Sequence, residues 1–243
     1  MKKYNGFYLM GNYPDKEIFI KSAVEGLKHF DFLEVGIPFS DPIADGETIA
    51  DAAQVMIDNN IGFAEISESI KEIRKSVAPE KDIYIMTYSN LIYNMDMPVF
   101  NSFCTEQKIK GLILPDVPAC EKGFIRGLGV DDKINIISFM TPESSDESIA
   151  ENAKASDSFV YFISMRGITG GEFNPDEDTV RKIFLARENS SVPVVLGFGI
   201  RNRKSADTAM NIGDGFITGT AFIESLNNGG YSGFKSKLEE FFQ

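Results

Sequence analysis

The stretch LEVGIPFSDPIADGETI, residues 33–49, sets one carboxylate inside an apolar run and follows it with a loop that carries more. Strand side chains alternate between faces, so Leu33, Val35 and Ile37 share one face and Phe32, Glu34 and Gly36 the other. The first face is purely aliphatic. The second holds Glu34 between a phenylalanine and a glycine, where a carboxylate without a partner is costly. Turn chemistry does not explain a residue inside a strand, so Glu34 reads as a functional acid or base. The loop behind it contains Ser40, Asp41 and Asp45. Asp41-Pro42 is accounted for as a turn pair. Asp45 reads equally well as an N-cap for the helical pattern ETIADAAQVMID or as a second functional carboxylate.

A second group of residues suits an anion. RGITGGEF (166–173), LGFGIRN (196–202) and ITGTAFIES (217–225) each bring glycine to a strand end. Glycine lets backbone approach a ligand closely, and free N–H groups at a helix start favour negative charge. Gly199 follows one strand, and Gly219 and Thr220 follow the next, with Thr220 adding a hydroxyl and TAFIES opening a short helix. One glycine alone would indicate only a tight turn. Three such loops together point to a phosphate site. RGITGGEFNP also has the paired glycines of a lid hinge.

Other chemistries lack their residues. The single histidine, His29, lies at the end of the first helix, away from these loops, so neither a zinc cluster nor a histidine-activated Ser or Cys nucleophile is expected. The apolar runs contain no lysine for a Schiff base. What remains is acid–base chemistry by carboxylates and tyrosines on a phosphorylated substrate. If a carbon–carbon bond breaks, the substrate must supply its own electron sink, such as a ring that accepts a proton.

These residues need strands to hold them. Eight short apolar runs recur: 6–10, 31–37, 83–88, 111–116, 134–140, 158–164, 192–198 and 214–219. They are apolar on both faces, as buried parallel strands are. Amphipathic patterns separate them, including DKEIFIKSAVEGLKHF, GFAEISESIKEIRKSV, DEDTVRKIFLARE and RKSADTAMNIG, and GYSGFKSKLEEFFQ closes the chain. The alternation predicts a (β/α)8 TIM barrel of the α/β class, as a single domain over residues 1–243. A doubly wound open sheet is disfavoured, because no GxGxxG follows the first strand. In such a barrel the site lies at the C-terminal strand ends, where Glu34 and the three glycine loops fall.

Bulk composition agrees. The 243 residues carry a net charge of −12, with no basic run for nucleic acid or an anionic membrane. Two cysteines, Cys104 and Cys120, fit no metal pattern and suggest a reducing compartment. With no signal-like stretch and no apolar run of membrane-spanning length, the expected location is the cytoplasm.

LEVGIPFSDPIADGETI resembles the signature of the tryptophan synthase alpha subunit family. The likeness continues through YSN (88–90), PDVP (115–118), YFISMRGITG (161–170), GFGI (197–200) and GTAF (219–222), in the family's order. It implies a barrel that cleaves indole-3-glycerol phosphate to indole and glyceraldehyde 3-phosphate by a retro-aldol reaction, with protonated indole as the sink. It implies no cofactor in this chain. The partner would be a beta subunit carrying pyridoxal phosphate, in an alpha2beta2 heterotetramer, contacted through the SDPIADG loop and LIYNMDMPVF (91–100). By the same resemblance Glu34 is the acid–base, Asp45 binds the indole N–H, and Tyr161 lies beside Glu34. Thr169 is a lid residue, Gly170, Gly199, Gly219 and Thr220 form the phosphate cradle, and Tyr8, Met86, Ile113 and Phe198 line the indole pocket.

The chain departs from the family pattern in places. Met165 stands where arginine is usual, with Arg166 one place later; Thr220 replaces a commoner serine; and Asn12 replaces a common glycine. The family's N-terminal helix, which closes the barrel floor, is expected to be short or absent. Two other readings stay open: a stand-alone lyase that releases free indole, and a non-catalytic barrel that binds a phosphorylated ligand and regulates a partner.

Overall fold

The structure, a computed structural model, describes residues 3–163 and 174–242. Eight parallel strands close into a barrel in sequence order. They are β1 (Gly6–Met10), β2 (Phe32–Gly36), β3 (Asp82–Met86), β4 (Ile109–Leu114), β5 (Asn135–Met140), β6 (Val160–Ile163), β7 (Val194–Gly197) and β8 (Gly215–Thr218). Each of the eight apolar runs overlaps one of them, with β3 and β4 starting one and two residues earlier than their runs, and β1 closes the ring against β8 through Gly6–Ile217 and Phe7–Thr218.

The helices follow the amphipathic patterns. Around the barrel run α1 (Lys16–Gly26), α2 (Glu47–Asp58), α3 (Phe63–Ser76), α4 (Ser89–Tyr93), α5 (Met97–Glu106), α6 (Lys122–Gly127), α7 (Asp146–Lys154), α8 (Glu177–Asn189), α9 (Arg203–Ile212) and α10 (Thr220–Phe242). Their starts show why the chain turns helical there. Asp15, Asp96, Ser145, Asp176 and Asn202 each accept a first-turn backbone N–H through the side chain, satisfying donors that have no acceptor inside the helix. The short helix after β8 and the closing helix are both present within α10, separated by a kink at the non-helical Gly229 and Gly230, where Gly230 takes φ +54°.

The register decides which side chains enter the barrel. Tyr8 pairs with Glu34, Glu34 with Tyr84, and Met86 with Ile113. On the far side Phe139 pairs with Tyr161 and Ile163 with Gly197. At the N-terminal end Tyr4 stacks on Phe32 at 4.6 Å, and Phe159 packs against Phe32 and Tyr84 at 5.4 and 5.2 Å. The Tyr4 hydroxyl donates to Asp82 Oδ2 at 2.7 Å. This aromatic plug fills the barrel beneath the level of Glu34.

Two inward glycines give up their side-chain space to tyrosines. A Cβ on Gly36 would fall 2.1 Å from the Tyr8 hydroxyl, and one on Gly197 would fall 2.3 Å from the Tyr161 ring. Overpacking a filled core costs about 1–3 kcal/mol. Gly197→Ala is therefore expected to destabilise by about that amount, read as a lower urea midpoint at unchanged m-value. An unchanged midpoint would mean the Tyr161 ring is not held there.

Asn12 takes φ +61°, in the left-handed region where asparagine is tolerated and most side chains are not. Its Oδ1 accepts a hydrogen bond from Ser69 Oγ at 2.6 Å. That explains how asparagine serves where glycine was the expectation.

Candidate active site

Glu34 sits in the middle of β2 and is completely buried. Neither carboxylate oxygen has a hydrogen-bond partner among the described residues. Burial alone pushes its pKa well above the ordinary carboxylate value, because low polarity disfavours the charged form. The protonated acid is therefore the resting form over a wider pH range than for an exposed glutamate. A pocket opens directly onto it, lined also by Tyr8, Asp45, Ile49, Met86, Phe139, Tyr161, Phe198 and the 199–201 and 219–220 segments.

Asp45 reaches the same pocket from the loop after β2. Gly46, not Asp45, is the N-cap residue of α2, and that cap makes no side-chain hydrogen bond. The N-cap alternative for Asp45 therefore fails. Its carboxylate instead accepts from the Tyr88 hydroxyl at 3.0 Å. Burial raises the Asp45 pKa, and the Tyr88 bond partly opposes that rise. In the sequence Tyr88 stands within YSN (88–90), with no role of its own assigned. It continues the inward alternation of Tyr84 and Met86 one step past β3, and that parity was the available signal. It stacks on Phe39 at 4.7 Å, which fixes the ring that holds Asp45.

Tyr8 and Tyr161 complete the polar wall. Burial first, then the charges of Asp45 and Glu34, push the Tyr8 phenol well above its ordinary value. Burial, then Glu34 and Asp45, do the same to Tyr161. Both phenols therefore remain protonated donors. Tyr161 rests against Phe139 at 4.6 Å, and Phe139 meets Phe198 edge-on at 6.0 Å. The wall between them is apolar and aromatic, suited to a flat ring.

Of the expected pocket-lining residues, Tyr8, Met86 and Phe198 line this cavity. Ile113 does not. It shares the inward face with Met86 through their pairing. Ile49, Phe139, Ile200, Arg201 and Ile217 are additional lining residues.

Two of the three glycine loops, through residues 199–201 and 219–220, also line the pocket. Phe198 and Gly199 take φ +77° and +75° in succession. A positive φ is strained for phenylalanine, and the loop around it is pinned on both sides. Thr218 Oγ1 donates to Ile200 O at 2.7 Å, and Arg201 N donates to Ser205 Oγ at 3.0 Å. Gly219 precedes α10, and its carbonyl accepts from Phe222 N and Ile223 N. Gly219 and Thr220, at the start of that helix, line the pocket together with Gly199. A Cβ on Gly219 would come within 3.2 Å of Tyr8 Cβ, so the backbone lies close against the Tyr8 side chain. Gly170 and Thr169, expected in the cradle and lid, lie outside the described residues, as do Met165 and Arg166.

Replacing Gly219 by Asp puts a negative charge where an anion would sit. At a few ångströms, such repulsion costs more than about 1.4 kcal/mol even under surface screening. Gly219→Asp is expected to raise KM for a phosphorylated substrate at least tenfold. An unaltered KM would place the phosphate elsewhere.

Fold and pocket together define a (β/α)8 barrel protein with a buried carboxylic acid, a second carboxylate and an apolar ring slot opening toward two glycine loops. A family model described as tryptophan synthase alpha chain matches residues 5–241. The chain belongs to the tryptophan synthase alpha chain family. The tryptophan synthase alpha chain of Aquifex aeolicus is 35% identical over 219 residues, covering 89% of this chain and 83% of that relative. That of Christiangramia forsetii is 34% identical over 245 residues, covering 98% and 93%. A solved structure from the tryptophan synthase a2b2 complex of Pyrococcus furiosus matches with TM-score 0.88 and 25% identity, covering 100% of this chain and 99% of that one.

Proposed function

We propose that this chain cleaves indole-3-glycerol phosphate to indole and glyceraldehyde 3-phosphate and delivers the indole to a beta subunit. The observation that carries the reading is Glu34: a fully buried carboxyl group with no hydrogen-bond partner on either oxygen among the described residues, opening onto the pocket. A residue that costs stability in this way suits proton transfer better than scaffolding.

The residues divide the work as follows. Protonated Glu34 gives its proton to indole C3, and the ring becomes a cationic electron sink. Asp45, oriented by Tyr88, accepts the indole N–H and stabilises that cation. The bond between C3 and the glycerol chain then breaks, its electron pair returning to the ring. The adjacent glycerol hydroxyl becomes the aldehyde and loses its proton to the Glu34 carboxylate, which restores the starting acid. Atoms and protons balance without metal or Schiff base. Tyr8 and Tyr161 donate toward the reacting glycerol oxygens, and Phe198 and Phe139 bracket the ring. The Gly199 and Gly219–Thr220 amides hold the phosphate, joined in this reading by Gly170, with Thr169 acting from the lid.

The beta partner rests on the relatives, which include a chain of an a2b2 complex. It is further supported by exposed apolar side chains. Ile43 lies in the loop that carries Asp45, and Tyr93 and Val99 lie in the 91–100 segment. In this reading pyridoxal phosphate resides in the beta subunit.

The test is indole release from indole-3-glycerol phosphate by the purified chain, with and without a matched beta subunit. Slow release alone and strong acceleration by the partner are expected. Fast release alone would make the chain a stand-alone lyase. Retained ligand binding with no release in either condition would make it a non-catalytic barrel.

A further inference from the structure

Arg201 is the one cation among the described residues that line the pocket, which otherwise presents two carboxylates, Glu34 and Asp45. It stands two residues after Gly199 on the pinned loop, and its own amide is fixed by Ser205. Its guanidinium donates through Nη2 to Glu224 Oε2, one turn into α10 from Thr220. Arg201 and Glu224 are each only about one-third exposed. The pair thus spans the two strand-end loops that carry Gly199 and Gly219.

We propose that Arg201 is a direct ligand of the substrate's phosphate, held in waiting by Glu224. The proposal rests on the reading that the substrate is phosphorylated, and it deepens that reading. A cradle made only of backbone amides and one hydroxyl brings dipoles but no full charge, and the Asp45 carboxylate in the pocket repels a dianion. A guanidinium offers several donors in a planar fork. One edge can stay on Glu224 while the other meets a phosphate oxygen. Without Arg201, Glu224 would add a second negative charge near the cradle. Paired, it keeps the guanidinium oriented and limits how tightly product phosphate is held. Phosphate binding should accordingly be more salt-sensitive than an amide cradle alone would make it.

The test measures binding of glycerol 3-phosphate and inorganic phosphate to the wild-type chain, Arg201→Gln, Arg201→Lys and Glu224→Gln, at low and high salt. Indole serves as the uncharged control ligand. Arg201→Gln is expected to weaken both phosphates at least tenfold, to flatten the salt dependence and to leave indole affinity unchanged. Arg201→Lys should recover part of the loss. Glu224→Gln should bind phosphate as tightly as wild type or more so, because the guanidinium is released. Unchanged phosphate affinity in Arg201→Gln would overturn the proposal. So would an equal loss in Glu224→Gln, which would reduce the pair to a strut between loops. Neither phosphate binding nor its control requires cleavage, so this result is separate from the indole-release test.

Discussion

Glu34→Gln is expected to lower kcat for indole release by a factor of a thousand or more, with affinity for glycerol 3-phosphate within about threefold of wild type. General acid–base groups contribute about 10²–10⁴ in rate, and here one carboxyl both gives and takes back the proton. Glutamine keeps the shape but carries no transferable proton. A variant that retains normal turnover would remove Glu34 from the chemistry.

The same substitution has a stability signature with a definite sign. The folded pKa of Glu34 lies above its ordinary value through burial. Between the unfolded carboxylate value, about 4.3, and the raised folded value, the folded state holds more protons than the unfolded. Wild-type stability therefore falls as pH rises through that window, by about 1.4 kcal/mol per pH unit from this group. Glutamine has no such slope. Glu34→Gln should match wild type most nearly at acid pH and become progressively the more stable of the two as pH rises, levelling off above the folded pKa. A constant difference across pH would contradict the raised value.

Asp45→Asn carries the second large effect, an expected loss of about 10²–10³ in kcat. Asparagine keeps the hydrogen-bond geometry toward Tyr88 but offers no negative charge to a cationic ring. The melting temperature should stay near that of wild type, because Asp45 does not cap α2. Thermal unfolding and kcat measured on one preparation separate the alternatives. A lowered melting temperature with intact kcat would assign Asp45 to the scaffold.

The barrel was readable because its strands are buried on both faces and appear as unbroken apolar runs. Glu34 was readable for the converse reason, as a charge that interrupts one such run. The amphipathic helices followed from periodicity, whereas α4 and α6, with five and six residues, are too short to display it. The role of Asp45 was ambiguous because capping and catalysis use the same side chain. Only the three-dimensional bond to Tyr88 separates them. Arg201 was passed over because a polar loop arginine has no local signature, and its partner Glu224 lies 23 residues away.

The most direct measurement is a pH titration of Glu34 by difference infrared spectroscopy, wild type minus Glu34→Gln, in the ligand-free chain. A carboxylic acid band that persists well above the ordinary carboxylate range is the predicted result, since a group that must give its proton to indole has to hold it at working pH. A carboxylate band appearing at the ordinary value would mean that Glu34 is ionised when substrate arrives, and the proposed proton transfer would have no donor.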